Sequence, residues 1–168
     1  VPSVDNDNVG GGTAAAQHLA GLGRTVVGTV AGPADMAAGI DRLAGFRAGL
    51  GRAWRSARVE RGDFTVDGGE AATQRLLERV PDLDGLFAAN DLMAMGALKA
   101  LRRAGRRVPD DVALVGFDDI RMATLTEPPL TTVRQRSVTQ GRAMVRMLLA
   151  RTRPGLVLPA DPDLPDDD

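Results

Sequence analysis

The sequence predicts an α/β domain built on a parallel sheet with helices on both faces. Short apolar, β-branched runs alternate with longer stretches of helical apolar spacing, the pattern of βαβ units. Asn and Asp side chains recur directly after those runs, where an open parallel sheet holds its ligands. Right-handed crossovers then distribute the helices over the two faces.

Taken in order, Asn8 to Leu22 reads as a helix. Ala15, Ala16, Leu19 and Leu22 recur at helical spacing and Gly23 follows as a stop. Thr25 to Ala31 is a buried strand that Gly32-Pro33 breaks. Asp35 to Ala53 is a helix with Leu43, Phe46, Ala48 and Leu50 on its apolar face, and Ala57 to Glu60 is a weak strand. A third helix runs from Gly69 to Val80, and Gly85 to Ala88 is a strand. Asn90 or Asp91 caps a fourth helix to about Ala104. Val112 to Phe117 is a strand ending on Asp118 and Asp119, Leu130 to Val133 is extended, and Val138 to Ala150 is an amphipathic helix. No internal repeat is evident.

Composition narrows the function classes. With 168 residues the chain fits one domain, and 43% apolar residues can fill a core. A net charge of −1 supplies no basic field for nucleic acid, and 3% aromatics argue against base stacking. The absence of cysteine excludes disulfides, zinc–thiolate sites and thiol nucleophiles, and it is compatible with a reducing cytoplasm. No run approaches the ~20 apolar residues of a membrane helix. The start, Val1-Pro2-Ser3, is neither a signal nor a transit peptide and reads as mid-chain, so a fragment is expected.

Gly32, the pair Asn90 and Asp91, and the pair Asp118 and Asp119 each follow a strand, so they share one edge of a parallel sheet. Carboxylates and amides there suit a polyhydroxylated ligand, since one accepts hydroxyl bonds and the other also donates. Arg42 adds a planar donor fork, and Phe64 a flat apolar face. Plainer readings stand beside these. Asn90, Asp91, Asp118 and Asp119 are equally caps or turn residues, Arg42 a solvated helix residue, Phe64 core, and the single histidine, His18, structural.

Enzyme signatures are missing. There is no Gly-x-Gly-x-x-Gly after a strand, no Gly-Lys-Ser/Thr and no Gly-x-Ser-x-Gly. No cofactor or resident metal is expected, and the chain is not expected to be an enzyme. The enzyme-like alternative is an Mg²⁺-dependent phosphoryl-transfer domain using Asp118 and Asp119.

Several segments, spread over about residues 1 to 152, resemble the lactose-repressor (LacI/GalR) family of transcription regulators. They are His18-Leu19, Ala31-Gly32-Pro33, Arg42-Leu43-Ala44-Gly45-Phe46 and Gly62-Asp63-Phe64-Thr65. Further along come Phe87 to Gly96, Val108 to Ile120 and Pro128 to Gln135. The resemblance implies a type I periplasmic-binding-protein-like fold with a small-molecule effector, a sugar or sugar-like molecule, between two lobes. It implies effector contacts at Arg42, Asp118, Asn90 and Phe64, with Asp7 a weaker candidate. It also implies a homodimer with Met93 and Met95 in the interface.

On this reading residues 23–130 form the second lobe, while 1–22 and 131–152 pack on a mostly absent first lobe. Residues 153–168 form a disordered acidic tail. Operator DNA would be bound only through an amino-terminal helix-turn-helix outside this chain, and no membrane is involved. The chain departs from the family in having Gly23-Arg24-Thr25 before its first strand and Leu156-Val157-Leu158-Pro159 near its end. A fragment of a periplasmic sugar-binding transport protein is the alternative from another class.

Overall fold

A computed structural model describes residues 5–153. Its central element is a five-stranded parallel sheet, ordered β2-β1-β3-β4-β5. The strands are β1 (Val27–Ala31), β2 (Val59–Arg61), β3 (Gly85–Ala88), β4 (Ala113–Asp118) and β5 (Thr131–Arg134). The helices are α1 (Asn8–Gly21), α2 (Ala37–Leu50), α3 (Val66–Arg79), α4 (Asp91–Arg103) and α5 (Ser137–Thr152). The chain leaves β1 toward β2 on one side and resumes at β3 on the other. In open α/β sheets such an order reversal marks where ligands bind, beyond the carboxyl ends of the strands.

Helices α1 and α2 pack together on one side of the sheet, and α3 and α4 pack together on the other. Two apolar cores result. Ala15, Ala16 and Leu19 of α1 meet Phe46 of α2 and Phe87 and Phe117 of the sheet, with Phe46 stacked on Phe87 at 4.9 Å between centroids. Leu76, Leu86, Met93, Leu101 and Leu114 belong to the other core.

Each helix pair closes over glycine. A Cβ on Gly45 would run into the Val9 carbonyl, and one on Gly96 into the Val66 carbonyl. Thr13 Oγ1 donates to Gly45 O at 3.0 Å across the α1–α2 contact. The apolar stripes of these helices are therefore short, and small residues set the spacing.

Boundaries shift where capping decides them. Helix α3 begins at Val66, three residues before the expected Gly69, because Thr65 accepts from Gly68 N at 3.0 Å and caps it. Helix α2 begins at Ala37 because Met36 is extended, and it stops at Gly51, whose φ of 52° suits glycine. Strand β2 starts at Val59 because Ser56–Arg58 coil into a 3-10 turn.

The division expected at residues 22 and 131 is corrected. Asp7–Arg134 form one compact unit. Helix α1 is built into this unit because Ala15, Ala16 and Leu19 are buried in its core, and residues 131–134 are strand β5 of its sheet. A second unit comes from the chain's two ends, of which residues 5–6 and 135–153 are described. In it, Asn6 Nδ2 donates to Gln135 Oε1 at 2.7 Å, and α5 buries none of its residues. The expected acidic tail lies outside the described residues except Arg153. No described helix is long and apolar enough to cross a membrane.

Candidate effector site at the strand ends

The parallel register brings the ends of β1, β3 and β4 to one edge, and Arg42 reaches it from the second turn of α2. Arg42 is buried, so the solvated-helix reading fails. Its Nε donates to Asn8 Oδ1 at 2.9 Å, and its Nη1 to Ala89 O at 2.6 Å and Asp118 Oδ1 at 3.0 Å. The guanidinium carbon stands 3.8 Å from the centroid of Phe117 and 5.9 Å from that of Phe64. One side chain thus ties α1, α2, β3 and β4 together at the edge. Burial of its charge is offset by a carboxylate, two oxygen acceptors and an aromatic face.

Asp118 closes β4. Its side chain is 25% exposed against 6% for Arg42, so solvent reaches the pair from the aspartate side. Asp118 and Asp119 have φ of 112° and 56°, and Phe64 has 66°. These are the non-glycine residues with positive φ among those described, and all three lie in segments that follow or end a strand. Such strain persists only where the surroundings over-determine the backbone, and it gathers at functional sites.

Asn90 is buried and caps α4, its Oδ1 accepting from Met93 N at 2.9 Å. Its Nδ2 donates to Phe64 O at 3.1 Å, joining the β3 end to the strained turn before α3. Asn90 thus caps α4 and ties the strand-end edge to that turn. Phe64 is half-buried, packed partly on the α3–α4 core and against Gly32, where a Cβ would collide with its ring. Asp7 is exposed and caps α1, its Oδ1 accepting from Gly10 N at 2.7 Å. Its neighbour in the chain, Asn8, is the acceptor of Arg42 Nε.

Asp91 proves fully buried. Its Oδ2 accepts from Ile120 N at 2.9 Å and its Oδ1 from Thr132 Oγ1 at 2.6 Å. Desolvation raises its carboxyl pKa from the ordinary value, against the lowering by these two bonds and by the Asp119 amide, and the charge of Asp119 adds a smaller push. Asp118 faces Arg42 and Asp119 pairs with Arg134. The two carboxylates are thus committed to separate arginines, and among the described residues no group of three or more His, Cys, Asp or Glu could hold a metal ion.

The interface expectation for Met93 is corrected. Its side chain is fully buried in the α3–α4 core, so no partner can reach it. Met95 is half-buried. Sequence reasoning missed Asn8, Phe117 and Thr132. No sequence signal marks Asn8, whereas Phe117 and Thr132 were visible as strand residues whose facing side could not be fixed. A groove bounded by Leu98, Arg102, Val108 and Pro128 at the far end of α4 involves none of the rim side chains.

The profile of the family described as periplasmic binding protein-like domain matches residues 16–164. The chain is similar to the HTH-type transcriptional regulator CelR of Thermobifida fusca, at 49% identity over 154 residues, covering 90% of this chain and 45% of that protein. It is 35% identical over 149 residues to the ribose operon repressor of Halalkalibacterium halodurans, covering 89% of this chain and 45% of that one. A solved transcriptional regulator CelR–cellobiose complex superposes with a TM-score of 0.89 at 48% identity, covering 95% of this chain and 50% of that one. The Lac repressor bound to ONPG in its repressed state gives 0.82 at 30% identity, covering 89% and 46%. The chain spans about half the length of the curated relatives it matches.

Proposed function

The chain belongs to the periplasmic binding protein-like domain family, and on that premise we propose that it is the effector-binding and dimerisation part of a LacI-type transcriptional regulator. The observation that carries this reading is the Arg42–Asp118 pair at the strand-end edge. A part-exposed carboxylate backed by a buried guanidinium accepts ligand hydroxyls without moving. The half-buried Phe64 ring beside it offers an apolar face to the C–H side of a pyranose. Asn90 and Asp118 are effector contacts on this reading, and Arg42 both binds and fixes Asp118. Asp7 is a remote contributor.

The effector is a small carbohydrate. The likeness to CelR, whose solved complex holds cellobiose, makes cellobiose the first ligand to try. Effector binding biases a two-state arrangement of the complete regulator, and an attached helix-turn-helix outside this chain reads operator DNA. The complete protein works in the cytoplasm as a homodimer and is not an enzyme, in keeping with relatives that are regulators. Leu125 and Met122, both exposed, and the half-buried Met95 supply an apolar surface for the second copy.

Calorimetric titration of the complete regulator with cellobiose and, separately, with ribose tests the reading. Saturable binding of cellobiose that Asp118→Asn weakens by about tenfold or more supports it. Absence of binding to either sugar overturns it.

A further inference from the structure

We infer that Asp91 is a positioning residue of the effector site: through Ile120 and Thr132 it fixes the turn that delivers Asp118 to Arg42. The inference rests on the effector-binding reading and extends it to a residue that touches no ligand.

The carboxylate of Asp91 is fully buried at the first residue of α4. Among the described residues, its hydrogen-bond donors are neutral groups: the Ile120 amide, the Thr132 hydroxyl and, with the smallest effect, the Asp119 amide. A buried carboxylate without a cation is costly, and an apolar residue of similar volume would fill the space more cheaply. The positive end of the α4 dipole offsets part of that cost. The fold also keeps a place open for it, since a Cβ on Gly116 of β4 would collide with Asp91 Oδ1.

What the carboxylate holds is the strained segment. Asp91 Oδ2 takes the amide of Ile120, directly after the two positive-φ residues. Thr132 Oγ1 accepts from Asp119 N at 3.3 Å while donating to Asp91 Oδ1, a relay from the strained backbone to the buried carboxylate. Asp118 and Asp119 are thus pinned from behind by Asp91 and from the front by Arg42 and Arg134. Removing the rear anchor leaves two strained residues free to relax, and the Asp118 carboxylate then loses its fixed direction.

The test compares wild type with Asp91→Ala, Asp91→Asn and Thr132→Val, each in the complete regulator. Cellobiose affinity is read by calorimetry, and amide hydrogen exchange at Asp119 and Ile120 by NMR. Asparagine keeps the geometry, its amide oxygen accepting from Ile120 and its amide nitrogen donating to Thr132. Asp91→Ala, still cooperatively folded, is expected to weaken cellobiose by about tenfold and speed exchange at both amides, and Asp91→Asn to restore both. A folded Asp91→Ala that binds as wild type, or an Asp91→Asn no better than Asp91→Ala, overturns the inference.

If Asp91→Ala does not fold, Thr132→Val decides. Faster exchange with weaker binding supports the inference, and unchanged values overturn it. Should wild type take up neither cellobiose nor ribose, the sugar reading falls by itself. Exchange then judges Asp91 alone: unchanged protection of Asp119 and Ile120 in Asp91→Ala or Thr132→Val overturns its role, and lost protection sustains it.

Discussion

The guanidinium of Arg42 lies over the ring of Phe117, 3.8 Å from its centroid, while its Nη1 bonds the carboxylate of the next residue, Asp118. Strand alternation sends these neighbours to opposite faces in a regular strand. The φ of 112° at Asp118 breaks that alternation and brings both to the same guanidinium.

Arg42→Lys separates charge from shape. Lysine keeps the charge and one bond to Asp118. It loses the planar stack on Phe117 and the Nε bond to Asn8. The expected loss is about 1–3 kcal/mol of unfolding free energy, read by urea denaturation. A midpoint equal to wild type would show that the stack and the Asn8 bond contribute nothing. Arg42→Ala would test fold and site together, because Arg42 is a structural tie as well as a proposed contact.

Glycine spacing gives two outcomes of opposite sign. Gly45→Ala places a methyl against the Val9 backbone carbonyl, which no rotamer change can relieve. Overpacking of about 1–3 kcal/mol should outweigh the helix-propensity gain of about 1 kcal/mol. Gly21→Ala, at the end of α1 with nothing within 4 Å of the new Cβ, should gain up to about 1 kcal/mol. Thermal unfolding of both variants checks this, and two changes of the same sign would refute the account.

The parallel sheet and its polar edge were legible because they rest on local signals: β-branched runs, helical periodicity, and Asn or Asp after a strand. What could not be read depends on the third dimension. Arg42 looks like a solvated helix residue until Asn8, Ala89 and Asp118 converge on it from three other elements. Asn90 and Asp91 are adjacent and chemically alike. Yet the helix turn aims one amide at the cap and at Phe64, and the neighbouring carboxylate inward under β4. Met93 shares an apolar helix with Met95, and only the position of α3 decides that Met93 is the one covered. Thr65 caps α3 in the structure, but the glycines after it hide in the sequence where that helix begins.

Asp111 should make stability depend on acid pH. Its Oδ1 accepts from Arg107 Nη2 at 2.7 Å, and its Oδ2 from Arg107 Nε at 3.0 Å and the Arg107 backbone amide at 2.8 Å. The side-chain bonds first, and the backbone bond next, hold its carboxyl well below the ordinary value of 3.8. A carboxylate lowered in the folded state contributes stability that is fully present above its unfolded pKa and is lost as pH falls through the folded one. Asp111→Asn is therefore expected to be less stable than wild type near neutrality, with the difference shrinking below about pH 4. Denaturation curves from about pH 7 to about pH 2 check this, and a constant difference across the range would refute it.

Self-association has a defined place to be tested. The 3-10 turn Arg121–Leu125 carries Leu125, 77% exposed, and Met122, 48% exposed. The segment holding it is tied to α4 twice, by the Ile120 amide on Asp91 and by Arg102 Nη2 donating to Glu127 O at 3.1 Å. Those ties stretch the segment along α4 between its first residue and its last turn, the span that contains Met95. The apolar side chains are thus held on a rigid element, which lowers the ordering cost of covering them with a second copy. A charge placed there is costly only in the dimer, because Leu125 is exposed in the single chain. Leu125→Asp is accordingly expected to shift the chain from dimer to monomer in sedimentation velocity while leaving the unfolding of the monomer unchanged. A wild-type chain that stays monomeric at every concentration, or a variant that dimerises as wild type does, would remove this surface from the interface.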